Sequence, residues 1–361
     1  MSDARFSSAS DIDVQGEARQ LLVDLVSTPS VSREERECAE VLQGYFEEHD
    51  REVWIDEVGN VRAPADDSVL LTSHIDTVPG DIPVEIRPAQ DSDEEALWGR
   101  GSVDAKGPLA AMAVAAVRKG VSFAGVVGEE VDSTGGRYLV EDRESAPDAV
   151  VNGEPSGWEG ITLGYRGLVA GTYVATSESG HSSRPDNNAI QDAIAWWSAV
   201  EDEFDDDEWE AVFERVTPKP TKMQGGLTED GLSVEATMEV QLRVPPSMNT
   251  EEVIEITEGH LDVADRVHWK DRVEPVMESP RTSVARAFRA AIRGQDGDPR
   301  LLRKTGTSDM NVYAQAWDCP MVTYGPGDSD LDHAPNEHLV LAEYDRSVAV
   351  LEAVADRLQE N

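Results

Sequence analysis

Cysteine and long apolar runs are scarce in this chain. Only two of its 361 residues are cysteines, Cys38 and Cys319, and they lie far apart in the sequence. This spacing argues against a disulfide framework and a CxxC metal motif, and it predicts a protein of the reducing cytoplasm. No apolar run reaches about 18 residues, so we predict no transmembrane helix. The first residues have no apolar core, and no secretory signal is expected there.

Positive charge is scarce as well. Lysine and arginine number 31 against 72 aspartates and glutamates, which gives a formal net charge of -41 at pH 7. The acidic residues are spread along a chain that is 39% hydrophobic, which favours a folded protein over an acidic disordered tail. Such a surface repels itself in dilute buffer, whereas salt near 1 M shortens the Debye length to about 3 Å. The composition resembles proteins of salt-accumulating halophiles and argues against nucleic acid or an anionic membrane as a partner.

The spacing of apolar residues predicts two kinds of region. In residues 1–164 and 278–361, short apolar strands alternate with helices, which predicts a mostly parallel sheet covered on both faces. Residues 165–277 contain long alternating strands separated by helices, which predicts a smaller α+β domain of ferredoxin-like type. We therefore predict an α/β catalytic domain into which the second domain is inserted. Ser32 is predicted to cap a helix over residues 34–48.

Ionisable residues follow several of the predicted strands. They are His74 and Asp76 in HID, Asp104 in VDAKG, Glu129 and Glu130 in GEE, Glu154 in GEP, and His333 in LDHAP. Because the carboxyl ends of parallel strands meet at one edge of a sheet, we expect these side chains to lie close together. Such a cluster is costly to desolvate unless it holds a cation, and zinc accepts this mixture of imidazole and carboxylate ligands. Each motif alone also fits a helix cap or a solvated turn.

Seven stretches along the chain resemble the two-metal amidohydrolase/peptidase family of acetylornithine deacetylase, succinyl-diaminopimelate desuccinylase and glutamate carboxypeptidase. They are SHIDTVPG (73–80), GRGSVDAKGPLAAM (99–112), VVGEEVDSTGGRYL (126–139), NGEPS (152–156), SGHSSRPDNNAI (179–190), KTGTSDMN (304–311) and YGPGDSDLDHAPNEHL (324–339). They occur in the family's order over nearly the whole chain. The resemblance implies a hydrolase of a linear amide bond, and it implies that residues 165–277 form a lid and dimerisation domain of a homodimer.

The resemblance also implies a ligand set for two divalent ions, with zinc as the first candidate and cobalt as the second. His74, Asp104 and Glu154 would bind one ion. Asp104, Glu130 and His333 would bind the other, so that Asp104 bridges the two.

Further roles carry over from the family to single residues. Asp76 would hold the second ring nitrogen of His74. Glu129 would be the general base that takes a proton from a metal-bridging water and returns it to the leaving amine. His181 would contact the developing oxyanion, although a plain loop histidine fits the same pattern. The peptide bond between Asp104 and Ala105 is expected to be cis.

Substrate contacts are implied for Arg243 and for the GTSD segment, with Gly306, Thr307 and Ser308. Arg243 also fits a surface position on an alternating strand. The stretch GEPSGWEGITLGYRG (153–167) most resembles the family branch that releases lysine or ornithine from the γ-carboxyl of the C-terminal glutamate of an amino-group carrier protein, in lysine or arginine biosynthesis.

Two alternatives stay open at this point. An acetylornithine deacetylase, or another hydrolase of small N-acyl amino acids, would share every metal ligand. A non-catalytic binding protein would keep the fold without the reaction. If the carrier is the substrate, it is predicted to dock on a local basic patch, for which the candidates are Arg166, Arg184, Lys219, Lys222 and Lys304.

Overall fold

The computed structural model describes residues 12, 14–90, 92–181, 183, 185–205, 211–263 and 265–360. The chain divides into two compact units. The first unit comprises the chain up to Leu163, Glu278–Leu302 and the chain from Ser308, and the second comprises Gly164–Met277 and Arg303–Thr307. Two of the limits lie within one residue of the predicted ones, but Arg303–Thr307 groups with the second unit, whereas the sequence assigned it to the first.

The described helices and strands follow one another along the chain as listed here: α1 (Glu17–Ser27), α2 (Arg36–Glu48), β1 (Trp54–Ile55), β2 (Val61–Ala63), β3 (Asp66–His74), β4 (Glu85–Pro88), β5 (Glu95–Trp98), α3 (Lys106–Lys119), β6 (Val121–Val126), α4 (Thr134–Asp142), β7 (Val150–Gly153), β8 (Gly160–Tyr165), β9 (Gly167–Glu178), α5 (Ala189–Glu203), β10 (Thr217–Leu227), β11 (Ser233–Val244), α6 (Thr250–Glu258), β12 (Arg266–Val273), β13 (Val276–Met277), α7 (Ser283–Gly294), β14 (Arg300–Lys304), α8 (Asp309–Ala316), β15 (Met321–Thr323), β16 (His338–Val340) and α9 (Leu341–Gln359). Within the described ranges, no helix is both long and apolar enough to cross a membrane.

A large mixed sheet organises the first unit. Its strand order is β1-β2-β6-β3-β7-β15-β8-β13, and β14 also pairs with β8. The four central strands β6, β3, β7 and β15 run parallel, and the pairs β1–β2, β2–β6, β15–β8 and β8–β13 are antiparallel. Every residue of β6, β7 and β15 is buried, so both faces of the central sheet are covered. The predicted α/β class is confirmed.

Helix α3 lies against the centre of this sheet. It contacts β3, β6 and β7, and it packs beside α1 and α9. Its residues are buried from Lys106 to Ala116, which explains why its sequence is rich in alanine. The helix ends where Gly120 takes a left-handed conformation with φ of 67°. The start of α3 thereby lies directly after the turn that carries Asp104.

The second unit has its own fold and its own apolar core. Its elements β9, α5, β10, β11, α6 and β12 follow the order βαββαβ, and the antiparallel sheet order is β10-β11-β9-β12. This is the ferredoxin-like arrangement that the sequence predicted. Strand β10 was missing from the sequence prediction because Pro218, Pro220 and the pair Gly225–Gly226 disfavour a strand. The structure accommodates them because β10 is an edge strand, which pairs with β11 and with no other strand of the described residues.

Arg166 organises the interior of the second unit. Only 5% of its surface is exposed. Its Nε donates to the Thr305 oxygen at 2.9 Å, and its Nη1 donates to the Val212 oxygen at 3.0 Å and to Thr217 Oγ1 at 2.7 Å. Burial lowers the pKa of Arg166 to about 10, so the guanidinium stays charged at neutral pH. The prediction that Arg166 belongs to a docking patch is wrong, because its donors are used inside the unit.

We expect Arg166→Met to destabilise the protein by about 2–4 kcal/mol, because it leaves several buried acceptors without a donor. Thermal unfolding followed by circular dichroism in molar KCl measures the loss. Arg303→Met is the matched control, because Arg303 pairs with Glu214 at 2.9 Å on an exposed surface, where such a pair contributes about 0–1 kcal/mol. Equal losses in the two variants would contradict a stabilising role for the Arg166 network.

Candidate metal centre

The parallel strands bring the predicted ligands to one edge of the sheet. His74 is the last residue of β3, Glu130 lies in the loop after β6, and Glu154 directly follows β7. His333 lies beyond β15, and Asp104 lies in the turn between β5 and α3. The carboxyl ends of parallel strands meet at one edge, which explains how residues up to 259 positions apart, such as His74 and His333, become neighbours.

One potential ligand group consists of His74, Asp104 and Glu154, and all three residues are buried. One ligand atom from each residue lies within 4.8 Å of the others. His74 Nε2 lies 3.2 Å from Asp104 Oδ1 and 3.9 Å from Glu154 Oε1. The group therefore presents one imidazole and two carboxylates to a common point.

The other potential ligand group consists of Asp104, Glu130 and His333, again with ligand atoms within 4.8 Å. His333 Nε2 lies 3.1 Å from Asp104 Oδ2 and 3.0 Å from Glu130 Oε2. Asp104 thus directs Oδ1 to one histidine and Oδ2 to the other, which places it in both groups. The peptide bond between Asp104 and Ala105 is cis, as predicted.

The electrostatics of the site favour a bound cation. Burial raises the pKa of Glu129 well above its usual range, and the charge of Glu154 adds to the effect. Burial also raises the pKa of Asp104, but its hydrogen bonds with the two histidines outweigh this and hold the pKa well below the usual range. In the part of the chain that the structure describes, no lysine or arginine pairs with Asp104, Glu129 or Glu130. An excess of buried and half-buried carboxylates of this kind suits divalent ions that accept oxygen and imidazole ligands.

Asp76 contacts the site differently from the sequence expectation. His74 Nδ1 lies 2.9 Å from the backbone oxygen of Asp76 and 3.6 Å from its Oδ1. The carboxylate instead accepts the backbone N–H groups of Glu129 at 3.1 Å and Glu130 at 3.2 Å. The backbone of Asp76 therefore orients the histidine, and its side chain fixes the turn that carries both glutamates.

Ser32 also binds the Asp76 carboxylate. Its hydroxyl donates to Asp76 Oδ2 at 2.7 Å. The prediction that Ser32 caps the second helix is wrong, since α2 begins at Arg36.

Asp309 is a buried carboxylate near the site. The sequence indicated it only as part of the GTSD segment and assigned it no role of its own. Burial raises its pKa to about 6, and its Oδ1 has no hydrogen-bond partner among the described residues. Its charge also raises the pKa of Glu129. A Cβ at Gly136 would lie 2.8 Å from Asp309 Oδ1, so this close approach requires glycine at position 136.

The predicted substrate-binding residues divide between the two units. Gly306, Thr307 and Arg243 belong to the second unit, where Arg243 Nη1 donates to Thr307 Oγ1 at 3.4 Å. Ser308 belongs to the first unit and is only 3% exposed. Its hydroxyl accepts the backbone N–H of Met310 at 3.2 Å and caps α8, which is the role the structure shows for it.

His181 and two of the basic candidates, Lys219 and Lys222, are exposed on the second unit. His181 is exposed, and its Nδ1 lies 2.9 Å from Ser183 Oγ. Lys219 and Lys222 are exposed on β10, and Lys222 Nζ lies 3.5 Å from Glu239. Lys304 is half-buried on β14. Arg184 lies outside the described residues.

Comparison with known proteins identifies the family. The chain belongs to peptidase family M20/M25/M40, which matches residues 70–357. It is 38% identical to a LysW-lysine hydrolase of Deinococcus radiodurans, over 94% of this chain and 97% of that protein. It is 34% identical to a putative LysW-lysine/LysW-ornithine hydrolase of Thermococcus kodakarensis, over 94% of this chain and 92% of that protein. The chain is therefore a hydrolase that acts on amide bonds, and the predicted family is confirmed.

The fold agrees with this assignment. The structure of aminopeptidase PepT from Bacillus cereus superposes with a TM-score of 0.75 at 19% identity, covering 95% of this chain and 98% of that chain. At this identity the likeness concerns the fold.

Proposed function

We propose that this protein is a two-metal hydrolase that releases lysine or ornithine from the C-terminal glutamate γ-carboxyl of an amino-group carrier protein, in lysine or arginine biosynthesis. The observation that carries the chemistry is the pair of ligand groups that share Asp104. The substrate is supported by the relatives named LysW-lysine and LysW-ornithine hydrolases, which match over 94% of the chain.

The residues present fit two divalent ions, with zinc as the first candidate. His74, Asp104 and Glu154 would hold one ion, and Asp104, Glu130 and His333 the other. Bound there, the ions would polarise the amide carbonyl and lower the pKa of a water molecule. Zinc and cobalt both accept imidazole and carboxylate ligands, so these ligands do not distinguish the two metals.

Glu129 is the proton carrier of the proposed reaction. It accepts a proton from the attacking water at a carboxylate oxygen and delivers it to the amide nitrogen as the C–N bond breaks. The products are the carrier with a free γ-carboxylate and the free amino acid. Burial raises the pKa of Glu129, which makes it a stronger base than an exposed carboxylate. Asp76 holds the Glu129 backbone in place through the contact at 3.1 Å.

Residues of the second unit complete the proposal. His181 would stabilise the negative charge that develops on the carbonyl oxygen. Arg243, with Thr307 and Gly306 beside it, would bind a carboxylate of the substrate. We also propose that the second unit serves as lid and as dimerisation surface of a homodimer. A cytoplasmic location stays a prediction from the two isolated cysteines.

A competition between substrates tests the proposal. Protein purified in molar KCl and loaded with zinc or cobalt is offered carrier-glutamyl-lysine, carrier-glutamyl-ornithine and N-acetylornithine, and amine release is followed by mass spectrometry. We expect kcat/KM to be highest for one of the carrier substrates. A preference for N-acetylornithine would overturn the proposed substrate and favour a small N-acyl amino acid hydrolase. No release from any of the three would contradict the proposed reaction.

A further inference from the structure

Glu337 is a fully buried carboxylate to which neither the sequence nor the family roles above assign a task. Its exposed fraction is 0%. Its Oε1 accepts the backbone N–H groups of Val103 at 2.8 Å and Asp104 at 3.0 Å. Its Oε2 accepts a hydrogen bond from Arg100 Nη1 at 2.7 Å. The side chain therefore binds the backbone of the residue that belongs to both ligand groups.

The turn that carries Asp104 closes around this carboxylate. Within the turn, the Ser102 N–H donates to the Gly99 oxygen at 3.1 Å. Arg100, which pairs with Glu337, also donates from Nε to the Gly80 oxygen at 3.2 Å. A buried charge satisfied by two amides and a guanidinium holds this backbone more firmly than neutral turn contacts alone.

The same segment of chain carries His333, four residues before Glu337. Half of the His333 side chain is exposed, and its ring nitrogen contacts only the carboxylates of Asp104 and Glu130 among the described residues. The segment is also joined to β5 through β16, where His338 pairs with Trp98, but His333 itself lies in the loop before that strand. His74, in contrast, ends a paired strand, and Glu154 directly follows one. The position of His333 relative to Asp104 therefore depends on how its loop is fastened to the Asp104 turn.

We propose that Glu337 is a positioning residue that fastens the His333 segment to the Asp104 turn, and that it thereby maintains the ligand group formed by Asp104, Glu130 and His333. This inference rests on the proposed two-metal function. It assigns Glu337 no contact with substrate. Loss of the Glu337 carboxylate is expected to weaken the ion held by His333 more than the ion held by His74, because His74 is itself a residue of a paired strand, whereas His333 lies in a loop five residues before β16.

Glu337→Gln tests the role with little change in volume. An amide presents one acceptor and one donor where the carboxylate presents two acceptors. If the amide oxygen faces Val103 and Asp104, the NH2 group faces the Arg100 guanidinium; in the flipped orientation, the NH2 group faces the two backbone N–H groups. Either way a buried donor meets a donor, and the turn must shift.

The measurement is a cobalt titration of metal-free protein in molar KCl, followed by calorimetry and by the visible spectrum of the bound Co(II). We expect wild type to bind two ions per chain. The ion held by His74, Asp104 and Glu154 is called the first ion, and the ion held by Asp104, Glu130 and His333 is called the second. Glu337→Gln should weaken binding of the second ion by about 10–100-fold, in the range found for residues that support metal ligands, and binding of the first ion by less than about threefold. The spectrum of the second ion should change as well.

Arg100→Met is the matched control. It breaks the same buried ion pair from the other side, so it destabilises the protein, but it leaves the Glu337 carboxylate on the backbone N–H groups of Val103 and Asp104. We expect its second ion to be weakened by less than about threefold. If Glu337→Gln does not fold, Glu337→Asp replaces it, since the shorter carboxylate cannot reach all three donors and should also weaken the second ion.

The outcomes separate the two proposals. Wild type that binds two ions while Glu337→Gln retains both affinities and both spectra overturns the role of Glu337 and leaves the proposed function intact. Equal weakening of both ions, or an equal effect of Arg100→Met, also overturns the positioning role. Wild type that binds no cobalt overturns the two-metal function and this inference together.

Discussion

Glu129→Gln is expected to bind two divalent ions per chain and to lose a factor of about 10²–10⁴ in kcat on its best substrate. The amide has nearly the same shape as the carboxylate but cannot accept the proton of the attacking water. None of the ligand groups contains Glu129, so metal binding should persist. Metal content is measured by mass spectrometry of the purified protein, and kcat is measured by amine release under saturating substrate.

The neighbouring residue provides the control for this experiment. Glu130 belongs to the ligand group with Asp104 and His333. The backbone N–H groups of Glu129 and Glu130 both donate to the carboxylate of Asp76. Glu130→Gln should therefore lose metal as well as turnover. A Glu129→Gln variant that retains more than about a tenth of wild-type kcat would remove Glu129 from the role of general base. One that loses metal would show that Glu129 is a ligand.

The strand ends of the first unit could be predicted from the sequence because they depend on local signals. An apolar run such as SVLLTSHI stops where the strand leaves the sheet, and the parallel order then brings His74 and Glu154 to the same edge. Periodicity and chain order thus predicted that these side chains lie close together. The division into two ligand groups that share Asp104 was implied by the resemblance to the family, because Asp104 and His333 lie in loops and not at the ends of parallel strands.

The hydrogen bonds of buried charged side chains could not be predicted in this way, because each depends on the path of a distant loop. The carboxylate of Asp76 binds the backbone at residues 129 and 130, more than 50 positions away. Arg166 binds the carbonyl oxygen of Thr305, and Glu337 binds the turn at Asp104. Periodicity indicates that such a residue is buried, but it does not identify the groups that satisfy its charge.

Asp104→Ala is expected to abolish binding of both divalent ions, whereas His333→Ala should abolish binding of only one. The difference follows from the geometry, since Asp104 directs one oxygen to each histidine and His333 belongs to a single group. Metal content per chain after dialysis against metal-free buffer in molar KCl gives the count directly. The two substitutions are matched, because each truncates one ligand to the same methyl group.

Turnover should follow the metal count in these variants. Ions held there would polarise the carbonyl, an effect that would lower the barrier by several kcal/mol, so Asp104→Ala should lose a factor of about 10³ or more in kcat/KM. The circular dichroism spectrum should stay unchanged, because removing Asp104 also removes repulsion between buried carboxylates in the metal-free protein. If Asp104→Ala still binds one ion, Asp104 belongs to only one group and the bridge is contradicted. If His333→Ala binds two ions, the group with Glu130 needs a different ligand, and Asp309, whose Oδ1 has no hydrogen-bond partner among the described residues, would be the first residue to substitute next.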